Sequence, residues 1–303
     1  MRPPVSPAST RPEEGSAPVP GGRLFLRVVG RGLPTLVLHG GPDFDHRYLV
    51  PELDRLGDRL RLVYYDQRGR GGSVPDADPR TVTIASEVED LDALRSHLGL
   101  GVVALLGHSW GGLLALEYAI RHPEHVSHLI LMNPAPVSAA DCRRFRDQRR
   151  RRTPGDLARL EALAATPRFA SGDLEADAEY YRVHFRAALF RPGHVERIVA
   201  RLRSGFTPAG VVRAREIEIR LYEDTWSQDG YDLLPALARL AIPALVIHGE
   251  HDMIPVCCAE HIATAIPGAD LVVLGGCGHF AYLERPQDVH EAIARFLDAT
   301  GSA

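Results

Sequence analysis

The chain predicts an α/β fold, a mostly parallel central sheet flanked by helices, with a helical cap inserted into it. Three observations carry this expectation. Short β-rich runs alternate with helical patterns along most of the sequence. Polar, catalytic-type residues gather just after the carboxyl ends of those runs, the edge where an open parallel sheet binds ligands. From residue 137 to about 232 the alternation stops, and only helical segments remain.

The elements follow in order. Residues 1–22 are rich in Pro, Ser, Gly and Glu and hold no apolar core, so they read as a disordered tail and not as a targeting segment. Strands are expected at Arg23–Val29 and at Thr35–Leu38, the second ending in His39-Gly40-Gly41-Pro42. Arg61–Tyr65 is a strand leading into Asp66-Gln67-Arg68-Gly69, and Val102–Leu106 leads into Gly107-His108-Ser109-Trp110-Gly111. Leu129–Met132 ends at Asn133-Pro134, Ala244–Ile247 at His248-Gly249-Glu250-His251-Asp252, and Leu271–Leu274 at a Gly-rich loop before His279. Helical patterns cover Glu87–Leu98, Gly112–His122, Cys258–Ala265 and Gln287–Leu297. The division is a core of 23–136 and 233–303 around a cap of 137–232.

The bulk properties set bounds. At 303 residues the chain suits one large α/β domain with an insertion. A net charge of −4 points to neither nucleic acid nor a strongly acidic partner. All 35 basic residues are arginine, which reads as compositional bias. Seven of them crowd into Arg143–Arg152, read as a solvated cap helix or entry loop. Cys142, Cys257, Cys258 and Cys277 show no metal-ligand spacing and fit free thiols of a reducing cytosol. No metal, cofactor or membrane span is expected, and the protein reads as cytoplasmic. Composition leaves the oligomeric state open.

The pentapeptide at Ser109 carries the chemistry. A strand before it and a helix after it are the setting of a nucleophile elbow, a turn so tight that Gly107 and Gly111 are needed to let strand and helix approach. A serine hydroxyl needs a base, and the base needs an orienting acid. On such a turn the partners follow in the chain order serine, acid, histidine. Of the late histidines, His261 and His290 sit in helical patterns, and His251 adjoins the best acid. His279, at the end of the last strand, is the expected base. Asn133 cannot ionise, which leaves Glu250 and Asp252 as acids. Asp252 lies one strand–helix–strand unit before His279 and is preferred, with Glu250 read as a loop carboxylate. The oxyanion of the tetrahedral intermediate needs two backbone N–H donors, expected from Trp110 and from Gly41, since Pro42 has none. Asp66 and Arg68 are expected to brace the floor of the site.

His39-Gly40-Gly41-Pro42, Asp66-Gln67-Arg68-Gly69-x-Gly71-x-Ser73 and Ser109-Trp110-Gly111, in this order, resemble the α/β-hydrolase superfamily and its proline iminopeptidase (prolyl aminopeptidase) branch. The resemblance spans 23–136 and 235–298. It implies Ser109, Asp252 and His279 as a catalytic triad, Gly41 and Trp110 as the oxyanion hole, and removal of an N-terminal proline or small residue from short peptides. It also implies cap carboxylates that bind the substrate ammonium, with Glu216, Glu218 and Glu223 in the matching region and Asp43 as a substitute source of charge. Asp43, His108 and Met253 depart from the branch pattern. The alternatives are a carboxylesterase, lactonase or carbon–carbon bond hydrolase and, from another class, a ligand receptor that keeps the pocket without turnover. Relatives that cleave epoxides or haloalkanes need a carboxylate where Ser109 stands.

Overall fold

The structure is a computed structural model that describes residues 12–73 and 77–301. Its eight strands are β1 (Glu13–Val19), β2 (Gly22–Val29), β3 (Leu33–Leu38), β4 (Leu60–Tyr65), β5 (Val103–His108), β6 (Val126–Met132), β7 (Ala244–Gly249) and β8 (Asp270–Leu274). They form one sheet in the order β1-β2-β4-β3-β5-β6-β7-β8. The pairs β1–β2 and β2–β4 are antiparallel and all others parallel.

Alternation along the strands builds two cores. Leu36, Leu105, Leu129 and Val246 face one side, where they pack on α1 (Ile84–His97), α2 (Trp110–Arg121) and α10 (Val256–Ala265). Val37, Leu106, Ile130 and Ile247 face the other, packed on α12 (Pro286–Thr300) and on part of the cap. Burial on both faces explains why these strands read as continuous apolar runs.

The expected tail needs correction. Residues 13–19 are a strand and not disordered; residues 1–11 lie outside the described residues. Pro20 and Gly21 turn the chain so that Val19 pairs with Gly22 and Glu13 with Val28. Ala17 is fully buried, and the Arg23 guanidinium donates to the Ser16 hydroxyl. Composition hid the strand because it lies at the sheet edge, where Pro18 and Gly15 cost little.

Between β6 and β7 the chain is helical, as expected: α3 (Ala139–Arg152), α4 (Pro154–Ala164), α5 (Pro167–Ala170), α6 (Leu174–His184), α7 (Val195–Leu202), α8 (Pro208–Asp224) and α9 (Leu234–Leu237). The short α11 (Ala281–Glu284) follows His279. The cap grips the core at the His279 loop. The Ala188 carbonyl accepts from His279 N–H at 2.6 Å, and Glu284 accepts from both Gly278 N–H and Arg191 N–H. No helix among the described residues is long and apolar enough to cross a membrane.

Candidate active site

β5 runs into Ser109 and α2 leaves it at once. Ser109 takes φ 55° and ψ −117°, a strained conformation costing roughly 1–3 kcal/mol and usually retained for function. The turn closes because two glycines lack side chains. A Cβ on Gly107 would lie 2.4 Å from the Gly111 carbonyl oxygen, and one on Gly111 2.1 Å from that of Leu38. Both obstacles are backbone and cannot rotate away. Gly111→Ala is therefore expected to destabilise the fold by about 1–3 kcal/mol and to reduce reaction of Ser109 with a fluorophosphonate. An unchanged denaturation midpoint with unchanged labelling would contradict this account of the turn.

Asp252 and His279 meet at the carboxyl edge of β7 and β8. His279 Nδ1 lies 2.9 Å from each carboxylate oxygen of Asp252. The Ile254 N–H donates to Oδ1 at 2.9 Å, and Asn133 Nδ2 donates to Oδ2 at 2.8 Å. Burial pushes this carboxyl upward, but the charges of His279 and His248 and the donated hydrogen bonds outweigh it and hold Asp252 below its ordinary value. Glu250 has its side chain more than half exposed, 3.5 Å from His251. His261 pairs with Asp141, and His290 lies beside Asp58. Ser109 and His279 line one cavity with Gly41 and Trp110. Trp110 is the first residue of α2, so its N–H is among those a helix start leaves without an intrahelical acceptor. Gly41 takes φ +94°, and a Cβ there would strike Phe44 and Asp43.

Two buried histidines stitch the loops together. His108 Nδ1 accepts from the Tyr48 hydroxyl at 2.8 Å, and Nε2 donates to the His279 carbonyl at 2.9 Å. This assigns the tautomer from the partners. Burial pushes His108 down to about 3, so it stays neutral. Tyr48 in turn accepts from Gly40 N–H. His39 Nε2 accepts from Gln67 N–H, and Gln67 Nε2 donates to the His39 carbonyl, tying the two Gly-rich loops together. Arg68 forms a two-pronged pair with Asp90, and Asp66 accepts from His46 and from Gly72 N–H. Both side chains are buried in these contacts.

The cap roofs this cavity. Of the three cap glutamates only Glu218 reaches it. Glu216 and Glu223 are exposed on the opposite face of α8, in a shallow surface groove with Asp78 and Arg80. The helical period decides this: Glu218 and Tyr222 share a face one turn apart, whereas Glu216 and Glu223 fall with the exposed Ile219. Tyr222 donates to Glu218 at 2.8 Å. Burial first and the Asp43 charge second push Glu218 up to about 8. Glu218 makes no ion pair among the described residues. Asp43 also lines the cavity, but its charge is already answered. Arg203 donates to its carboxylate at 2.6 Å and to its carbonyl at 2.7 Å, and Tyr181 adds a third bond. Asp43 is thus a partner of the cap and does not offer the unanswered charge expected of it. Trp110, Tyr222 and Trp226 form an aromatic wall, with ring centroids 4.8–6.0 Å apart.

Several contributors escaped the sequence. Asn133 was set aside because it cannot ionise, yet it supports Asp252. Its φ of 47° and its place straight after a strand are the signals that mark it. Tyr48, which holds His108, and His184 and Arg149, which line the cavity, have no local signature at all.

A serine on this turn, at the carboxyl edge of this sheet, defines a hydrolase of the α/β type. The chain matches the alpha/beta hydrolase fold family over residues 34–286 and belongs to it. Its resemblance to the proline iminopeptidase branch extends over most of the chain. A proline iminopeptidase of Lactobacillus crispatus is 29% identical over 302 residues, covering 94% of this chain and 98% of its own. The crystal structure of a Mycobacterium smegmatis proline iminopeptidase is 26% identical with a TM-score of 0.72, covering 95% of this chain and 98% of its own. A thermophilic esterase from Thermogutta terrifontis is also 26% identical, with a TM-score of 0.66 and coverage of 95% and 99%.

Proposed function

We propose that this hydrolase works through an acyl-enzyme and removes an N-terminal residue, proline above all, from short peptides with a free N-terminus. Ser109 Oγ attacks the carbonyl carbon while His279 takes its proton. Asp252 holds the imidazole and stabilises the imidazolium, and the N–H groups of Gly41 and Trp110 receive the oxyanion. His279 then protonates the leaving nitrogen and activates water for deacylation.

The observation that carries the peptide reading is Glu218. It is a carboxylate without a cation, beside three aromatic rings, in the cavity that holds Ser109. A secondary ammonium of a small ring suits that corner, because the rings face its apolar and cationic surface while Glu218 answers its charge. The similarity to proline iminopeptidases supports the same reading.

The test compares proline arylamide with its N-acetyl derivative, on the native enzyme and on Glu218→Gln. Acetylation is expected to remove most activity. Glu218→Gln is expected to cost about 2–4 kcal/mol in kcat/KM on the free amine, the size of stranding one partner of a desolvated charge pair, and less on simple esters. Relative to an ester, kcat/KM for the amine is expected to fall as the pH drops below about 8, because Glu218 then gains a proton. That same tendency to neutrality favours a second reading, an ester or neutral amide hydrolase. Equal cleavage of acetylated and free substrates would establish the second and remove the first.

A further inference from the structure

The arginine run of α3 is not uniform. Arg144 pairs with the buried Asp141, Arg150 with the exposed Asp147, and Arg152 reaches the Asp252 carbonyl at 2.8 Å. Arg149 alone of the seven turns into the cavity. It makes no ion pair among the described residues, and its Nε is buried with no hydrogen-bond partner. Its guanidinium lies 5.8 Å from the Phe145 ring centroid, a contact that answers none of its N–H donors. An Nε buried without an acceptor is costly, and a carboxylate, which accepts from two N–H groups of a guanidinium at once, is the ligand that fits it.

Position decides which part of a substrate would carry that carboxylate. α3 is fastened to the acid loop, since Gln148 Nε2 also donates to the Met253 carbonyl at 3.1 Å. His184 lines the same cavity as Arg149 and His279, and burial first, then the charges of those two groups, push its ring well down. Arg149 therefore stands on the His279 side of the cavity. The leaving group lies on that side too, because His279 must deliver a proton to it. Glu218 reaches the cavity from α8, a different wall.

We infer that Arg149 binds a carboxylate carried by the leaving group. Combined with the peptide reading above, on which this second step rests, the preferred substrate is a dipeptide, with its ammonium at Glu218 and its terminal carboxylate at Arg149. The other arginines of α3 add positive charge to the helix that carries Arg149, which suits the approach of such an anion.

Two substrate pairs test this. The first is prolyl-glycine against prolyl-glycinamide, followed by release of glycine or glycinamide. The second carries no amine: 4-acetoxybenzoate against 4-acetoxybenzamide. In each pair the native enzyme is expected to favour the acid, relative to Arg149→Met, by about ten- to a hundredfold in kcat/KM, the range for a charge-assisted contact. Arg149→Lys is expected to keep part of that preference, because it keeps the charge but not the fork. Fluorophosphonate labelling of both variants reports an intact Ser109 site, and if Arg149→Met does not fold, the comparison is made with Arg149→Lys. An acid-to-amide ratio that Arg149 substitution leaves unchanged in both pairs overturns the inference. If peptides are not cleaved but the ester pair shows an Arg149-dependent preference, the carboxylate site stands and the peptide reading fails.

Discussion

Ser109→Ala is expected to abolish labelling by a fluorophosphonate probe and to lower kcat by a factor of about 10⁴ or more, because nucleophile and base act as one unit. The substitution removes a single oxygen and keeps the Cβ, so the turn at φ 55° and its flanking glycines are undisturbed. The loss would therefore be chemical and not structural, with a denaturation midpoint close to that of the native protein as the control. Residual activity would reflect the oxyanion donors and binding alone. Full labelling of the Ser109→Ala protein would place the nucleophile elsewhere.

Asp252→Asn is the second large effect, about 10⁴ in kcat with the fold retained, by analogy with the same change in other triads. The surroundings of Asp252 say why an amide fails there. One oxygen accepts from the Ile254 N–H, the other from Asn133 Nδ2, and His279 Nδ1 lies within 2.9 Å of both. An asparagine must place its NH₂ at one of those two positions. Either way a donor faces a donor, and the imidazole loses the acceptor that fixes its tautomer. Glu250→Gln is the comparison. Glu250 is exposed and, among the described residues, pairs only with His251, so its substitution is expected to be mild. A crippling Glu250→Gln with a mild Asp252→Asn would reverse the assignment of the acid.

The two effects also mark what local sequence reveals. Ser109 is legible because a tight turn between strand and helix demands glycines at fixed offsets. Asp252 and His279 are legible because each follows a strand of the same parallel stretch of sheet, which brings residues 27 apart to one edge. Strand alternation and helical period have ranges of two to four residues, so they survive in a single sequence. Even β1 left a weak trace, in the Pro20-Gly21 pair that turns its hairpin.

What the sequence by itself determined is thus the α/β architecture, the helical insertion between β6 and β7, and the residues at the ends of the strands. The tertiary structure alone decided which charges in the cavity remain unanswered. Asp43 looked available until Arg203, 160 residues away, was seen to hold it. Glu216, Glu218 and Glu223 looked alike until the seating of α8 turned only Glu218 inward. Arg149 was one of seven until the roll of α3 over the acid loop turned it into the cavity. The physical reason is the same in each case. Whether a charged side chain is solvated, paired or stranded depends on packing between distant elements, and that packing has no period along the chain.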